Sequence, residues 1–182
     1  MIPASCPSPG VLDPLRVNGF KFNIAKLPEI TYFISRAAIP SISIPSGTTN
    51  TPLSDIKHPG DKLDYAPFTI EFQVDEQMRN WNVIYFWMLG LGFPEDHAQY
   101  ERWLNLDRNQ LGRNPAAKQV SDAYLMPLSS SMQPLQTFTF VDLFPTSLSG
   151  PDFDATDTDN SIAKASATFD YSYIKTSSPW IE

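Results

Sequence analysis

The segment PFTIEFQVDEQMRNWNVIYFWMLGLG, residues 67–92, holds a strand pattern followed directly by a helix pattern. Apolar and polar residues alternate over Phe68–Val74, which is the period of a strand with one buried face. Asp75 is a typical helix N-cap residue, and the apolar positions after it keep helical spacing as far as Gly90. We therefore predict a strand here, followed by an α-helix over about 76–91.

The predicted helix is apolar on more than one side. One stripe has helical spacing and consists of Met78, Trp81, Ile84, Tyr85, Met88 and Leu91. The opposite side adds Val83, Phe86 and Trp87. A helix that is apolar nearly all round must be covered on more than one face. We therefore expect a partner subunit to cover one of these faces.

Alternating segments on either side of this region predict further strands. They begin near Asn18 and lie at Ile34–Ile44, Val120–Pro127, Leu135–Phe144 and Ala163–Ile174, with a loop at 145–161 between the last two. Pro40 has no N–H to donate, so its strand should be an edge, a bulge or a strand start. A second short helix is expected at about 95–106. Because no βαβ alternation occurs, we predict a mainly β fold, an antiparallel β-sandwich or barrel with a helix packed at one side.

Composition supports this fold class and limits the function. The 182 residues include 17 prolines, with 13% aromatic and 18% charged residues, which suits strands and ordered loops better than a helical bundle. The formal net charge is −7, and residues 142–182 contain seven acidic residues against two lysines. Such a surface repels phosphate, which argues against an electrostatic nucleic-acid binder.

Domain boundaries are expected at the proline-rich start of the chain. We predict an N-terminal arm over 1–16 and a single domain over 17–182, with an inserted helix and loops at 90–130. The polar segment 45–63 contains the turn signal HPGD and is expected to form a hairpin that contacts a partner. A single cysteine and the lack of signal-peptide features at the N-terminus lead us to expect a soluble protein made in a reducing compartment.

Residues with chemical potential do not form a recognisable motif. His58 and His97 suit acid–base chemistry by their ordinary pKa, but both occupy expected loop positions. The acidic run after Pro151 fails the calcium-loop pattern, because Ile162 stands where glycine is required and Thr168 where glutamate is required. The run consists of Asp152, Asp154, Asp157 and Asp159. We predict no catalytic, cofactor or metal site.

Two other function classes stay open at this point. The first is a small hydrolase with two carboxylates, whose candidates are Glu71, Asp75, Asp142 and Asp170. The second is a β-sandwich module that binds glycans or peptides. Its candidate aromatic residues are Trp81, Trp87, Trp103 and Trp180; the first two also fit a helix core.

Three segments, taken in order, resemble the tail tube protein family of contractile-tailed phages. They are AAIPSISIP (37–45), HPGDKLDYAPFTIEFQVDEQMRNWNVIYFWM (58–88) and FTFVDLFPTSLSGPDFDATDTDNSIAKASATFDYSYI (138–174). The shared pattern is a small-residue strand ending in Ile-Pro, a polar hairpin, a strand entering an Asp-Glu helix start, an apolar-Phe-Pro-Thr turn, and an aromatic closing strand. The inserted residues 90–130 and the N-terminal arm depart from it.

The resemblance implies a structural virion protein without catalysis or cofactors. It implies a homohexameric ring whose strands join in an inner β-barrel, and rings that stack into a tail tube conducting DNA. The implied partners are other copies of the chain and sheath, baseplate or terminator proteins, in a phage tail assembled in the host cytoplasm. The inserted residues 90–130 and the N-terminal arm, which depart from the family pattern, also suit a specialised ring at the baseplate or head-proximal end. By analogy, the hairpin at 45–63 would contact the next ring.

Overall fold

The computed structural model describes residues 15, 19–27, 30–31, 33–92, 119–153 and 162–177. Within these ranges one helix is present, α1 (Arg79–Gly92). The strands are β1 (Phe20–Ile24), β2 (Ile34–Ala37), β3 (Ile42–Ser43), β4 (Ser46–Asn50), β5 (Asp55–Pro59), β6 (Asp64–Tyr65), β7 (Phe68–Gln73), β8 (Ser121–Pro127), β9 (Thr137–Leu148), β10 (Lys164–Asp170) and β11 (Tyr173–Ser177). The predicted second helix over 95–106 lies outside the described residues.

The long strand β9 is shared by two sheet layers. Its first half pairs with β8 and β11, and its second half pairs with β10. Strand β1 extends the first layer beyond β8, while β7 and β2 extend the second layer beyond β10. All of these pairings are antiparallel, which confirms the predicted mainly β, antiparallel class. The order of the described strands is open, with β1 and β2 at its ends, so they form a sandwich and not a closed barrel.

The core lies between the two layers. The Phe68 ring of β7 lies with its centroid 5.2 Å from that of Phe22 in β1 and 4.4 Å from that of Phe140 in β9. Alternate residues of the adjacent strands β7 and β10 are buried, namely Phe68, Ile70, Phe72, Ala165, Ala167 and Phe169. The alternation predicted for both strands is confirmed over these residues, and small alanines opposite large side chains let the layer pack closely.

Helix α1 begins at Arg79, three residues later than predicted. The Met78 amide donates to the Asp75 carbonyl at 2.7 Å, and Met78 has a φ of 54°. This left-handed conformation closes a turn over 75–78 and prevents those residues from continuing as helix. The assignment of Asp75 as the N-cap was therefore wrong.

A buried amide replaces the predicted cap. The Asn80 side chain accepts hydrogen bonds from the amides of Asp75 at 3.2 Å and Trp81 at 2.9 Å. It also donates to the Gln73 carbonyl at 2.7 Å. Because Asn80 is only 2% exposed, these bonds satisfy a polar group that would otherwise be costly to bury. They fix the start of the helix to the end of β7.

Much of the predicted stripe of α1 packs inward: Ile84 is buried, and Trp81, Met88 and Leu91 pack against the core. Ile84 and Trp87 are fully buried, whereas Tyr85 and Phe86 are exposed. The Trp87 ring centroid lies 6.3 Å from that of Phe169 in β10, and the indole N–H donates to the Gln119 carbonyl at 3.0 Å. Trp87 therefore belongs to the core and not to the opposite side, because its neighbours in the sheet, and not helical spacing alone, select the packed face.

Two strands predicted in the last third of the chain have different boundaries in the structure. Strand β9 continues through Pro145 to Leu148, so the following loop starts later than predicted. The strand expected over 163–174 is interrupted between Asp170 and Tyr173. Tyr173 is consequently exposed and does not share the buried face of β10.

Residues 41–66 form an extension that we call the β-arm. Strand β3 pairs with β6 at its base, and β4 pairs with β5 farther out, with Ser46 opposite Pro59 and Asn50 opposite Asp55. The outer pair is a hairpin within the segment 45–63. The single strand predicted over Ile34–Ile44 is wrong, because the segment is divided into β2 and β3 and Pro40 lies between them, outside both strands.

Candidate assembly surface

The sheet leaves strand edges open. Among the described strands, β1, β2 and β11 each pair with one neighbour only. Strand β2 is short, and its register with β7 shifts between Ile34 and Arg36. Arg36 forms an exposed ion pair with Glu71 of β7 at 3.2 Å. Open edges present backbone donors and acceptors that can pair with a strand of another chain.

The β-arm exposes apolar side chains. They are Ile42, Ile44, Leu53, Ile56 and Leu63. Leu53 stands in the turn of the outer hairpin and is 97% exposed. The turn is closed by Thr51, whose amide donates to the Ser54 carbonyl at 3.2 Å. Two-stranded hairpins are marginal in water, and an ordered one with exposed aliphatic residues is typical of a contact with another protein surface.

The base of the β-arm is anchored to the core by Tyr171. Its hydroxyl donates to the Ala66 carbonyl at 2.9 Å, and its ring centroid lies 5.9 Å from that of Tyr65 and 5.1 Å from that of Phe140. Burial, followed by the nearby Tyr65 and Asp170, raises the pKa of Tyr171 to about 12. The hydroxyl therefore stays protonated and keeps its hydrogen bond at every physiological pH.

His58 lies in strand β5, opposite Gly47 of β4, and not in a loop as expected; its side chain is exposed. A Cβ atom on Gly47 would overlap the imidazole ring, so the glycine makes room for the histidine across the hairpin. This gives His58 a packing role within the β-arm. His97, the other histidine singled out above, lies outside the described residues.

The four predicted carboxylates have different surroundings. Glu71 pairs with Arg36, and Asp75 lies in the turn before α1. Asp142 accepts a hydrogen bond from Ser172, and Asp170 lies beside Tyr171 at the end of β10. In the part of the chain that the structure describes, no group of three or more His, Cys, Asp or Glu residues is placed to hold a metal ion. No helix there is long and apolar enough to cross a bilayer.

The two described tryptophans of the predicted binding groove, Trp81 and Trp87, also have different surroundings. The Trp81 indole N–H donates to the Ser149 carbonyl at 2.9 Å, which connects α1 to the loop after β9. Trp87 is buried. The other predicted groove residues and three of the acidic run lie outside the described residues: Trp103, Trp180, Asp154, Asp157 and Asp159.

Sequence reasoning missed the exposed aromatic side of α1. Tyr85 was placed in the packed stripe, yet it is 41% exposed, and its neighbour Phe86 is 54% exposed. The available signal was the apolar character all round the helix, which indicated an additional covered face without identifying it.

Comparisons with known proteins support the fold. No family model and no curated protein matches the chain. A chain in the cryo-EM structure of the anti-feeding prophage baseplate, sixfold symmetrised, is 11% identical with a TM-score of 0.58, and the match covers 94% of this chain and 100% of that one. For the anti-feeding prophage tube-terminating cap the identity is 19% and the TM-score 0.58, with 97% and 99% covered.

A third similar structure is the sheath–tube complex of the PVC extracellular contractile injection system in its extended state. The identity is 18% and the TM-score 0.55, and the match covers 91% of this chain and 92% of that one. At such identities the likeness concerns the fold. The chain therefore has a tail-tube-like fold, which it shares with components of contractile injection systems.

Proposed function

We propose that the chain is a non-catalytic structural subunit of a contractile tail or a related injection particle. The proposal rests on the similarity of this fold to three solved chains, which come from a baseplate, a tube-terminating cap and a sheath–tube complex. In each case the match covers nearly the whole of both chains. The open strand edges and the exposed β-arm agree with a chain that is completed by its neighbours. The division into an arm over 1–16 and one domain over 17–182 is part of this proposal.

The finer proposal is a homohexameric ring. One similar chain belongs to a baseplate determined with sixfold symmetry. Contacts between different edges of identical subunits generate a closed ring when the rotation closes, and β2 and β11 offer such edges. In stacked rings, the acidic character of the chain, with a net charge of −7, would keep DNA from adhering during passage through the lumen.

The position along the tail has two candidates. We favour a repeating tube subunit that contacts other copies and the sheath. The alternative is a single specialised ring at the baseplate or the head-proximal end, and the likeness to a baseplate chain and a cap chain supports it equally. In both cases the chain would be assembled in the host cytoplasm and function in the particle.

Negative-stain electron microscopy combined with light scattering tests the proposal. Stacked tubes support the repeating subunit, and isolated sixfold rings, alone or after addition of partner proteins, support the specialised ring. A monomer of 20.4 kDa under every condition, particularly one that binds a glycan array, would overturn the assembly proposal in favour of a binding module.

A further inference from the structure

The turn between β8 and β9 holds a methionine at the surface. The Met132 side chain is 68% exposed. The other methionines that the structure describes, Met78, Met88 and Met126, are all partly buried. A thioether is oxidised by peroxides to a sulfoxide, and how readily this happens follows its exposure. Of the described methionines, Met132 is therefore the most open to a small oxidant in solution.

The backbone of the turn keeps Met132 in this position. The Ser129 amide donates to the Gln133 carbonyl at 2.8 Å, and the Met132 amide donates to the Ser129 carbonyl at 2.9 Å. Leu128 and Pro134 form an antiparallel bridge just outside these bonds. Met132 itself has a φ of 60°, in the left-handed region. Its exposure is thus fixed by a closed turn and does not result from a loose chain end.

The Met132 sulfur lies beside the start of β1. A Cβ atom built on Gly19 would be 4.0 Å from Sδ of Met132. The Gly19 carbonyl accepts a hydrogen bond from the Leu128 amide at 2.9 Å, which holds this glycine against the turn. Because glycine has no side chain, position 19 does not shield the sulfur, and an added oxygen displaces no side chain there.

The other described methionines have closer surroundings. Met88 of α1 packs against the core. Met126 of β8 lies opposite Lys21 of β1, and Met78 lies in the turn that precedes α1. A sulfoxide is polar, so forming one on Met88 would place a polar oxygen against the core without a partner. The folded chain should resist that change more than a change at Met132.

We propose that Met132 is a site of reversible oxidation by peroxide and that the folded chain accepts the product. The sulfur lone pair attacks one oxygen of hydrogen peroxide, and the O–O bond breaks as the S–O bond forms. The departing hydroxide takes the proton from the transferred oxygen and leaves as water. The thioether is oxidised to a sulfoxide and the peroxide is reduced, so an apolar surface becomes polar. The inference goes beyond the proposed function and requires neither a ring nor a partner.

The test exposes the purified full chain to dilute hydrogen peroxide and follows each methionine by peptide mass spectrometry. We expect Met132 to gain one oxygen atom at least about fivefold faster than Met88 and Met126. In urea, where the fold is lost, the rates should become similar. Equal rates in the folded chain, faster oxidation of Met88, or an unchanged order in urea would each overturn the proposal.

Reversal of the oxidation tests whether the sulfoxide stays accessible. Methionine sulfoxide reductases A and B, added together to the folded oxidised chain, should restore the original mass of the Met132 peptide, because each enzyme reduces one of the two sulfoxide epimers. M132L is the matched control: the fast-reacting peptide should disappear and the rate at Met88 should stay unchanged. Failure of both reductases, or fast oxidation of Met88 in M132L, would contradict an open site at Met132.

Thermal unfolding tests whether the folded chain accepts the change. Oxidation at Met132 alone should shift the melting temperature by no more than about 2 °C, as for other surface changes. M132Q, which places a polar side chain of similar length at this position, should behave like the oxidised chain. M88Q should lower the melting temperature further, since Met88 packs against the core. A large shift for the oxidised chain or for M132Q would overturn the proposal.

Discussion

Asp142 of β9 and Ser172, which lies between β10 and β11, are opposite each other where β9 passes from the first sheet layer to the second. The Ser172 hydroxyl donates to Oδ2 of Asp142 at 3.3 Å, and the Ser172 amide donates to the Val141 carbonyl at 2.9 Å. Asp142 has a φ of 56°, and its amide donates to Oδ1 of Asp122 at 3.3 Å. Strand β9 leaves the first layer here and enters the second, while β10 ends and β11 begins at the same level.

The bend makes position 142 sensitive to the type of residue placed there. D142V should destabilise the fold by about 2 kcal/mol, because a β-branched residue is strained in the left-handed region. D142G should cost less, since glycine adopts this φ freely. Urea unfolding measures both, with T139V in the regular part of β9 as the control. Equal stability of D142V and D142G would contradict the role assigned to the bend.

The two aromatic neighbours on α1 should respond differently to truncation. W87A removes a fully buried side chain that contacts Phe169, and should cost about 3–5 kcal/mol of the free energy of unfolding. F86A removes an exposed ring and should change stability by about 0.5 kcal/mol or less. Chemical unfolding of both variants compares them directly. A similar loss for both would show that the helix presents a different face to the sheet.

Stability should fall at high pH through Tyr171. Its pKa is raised from 10.0 to about 12, so the folded chain favours the protonated hydroxyl. Below pH 10 both the folded and unfolded chains keep this proton and the contribution is complete; it is lost as the pH rises towards 12. In Y171F, stability should depend less on pH between 10 and 12. Near neutrality the variant should lose about 1 kcal/mol of the free energy of unfolding, because the hydrogen bond to Ala66 is missing.

Thermal unfolding of the wild type and Y171F at matched pH values measures this difference. Y173F is the control, since Tyr173 is exposed on β11. Parallel pH profiles for wild type and Y171F would contradict the assignment.

If the chain forms the proposed rings, the tip of the β-arm should matter for the contacts between them. L53D combined with I56D places two charges on exposed aliphatic positions, and should prevent stacking while leaving the folded subunit intact, because neither side chain is in the core. Electron microscopy gives the length of the assemblies, and T48D on the adjacent strand β4 is the control. Tubes of normal length from the double variant would exclude the β-arm as the stacking element.

Local periodicity was sufficient for much of the sandwich. The alternation in β7 and β10 identified Phe68, Phe72 and Phe169 as core residues, since a period of two leaves only one assignment of faces once one face is buried. The turn residues within 45–63 likewise predicted the hairpin. For the candidate binding surfaces, the sequence indicated that α1 needs a second cover but did not identify which side it covers.

The remaining features depend on contacts between residues far apart in the chain. Helix α1 is apolar nearly all round, so its own spacing could not distinguish Trp87 from Tyr85, and packing against Phe169 made the choice. The left-handed Asp142 cannot be read from a strand pattern, because it arises where β9 passes between layers and β11 pairs beside it. Hydrophobic periodicity and turn residues thus determine which segments become strands or helix. The packing of the two sheet layers and the helix against each other determines which face of the helix is buried and where the strands bend.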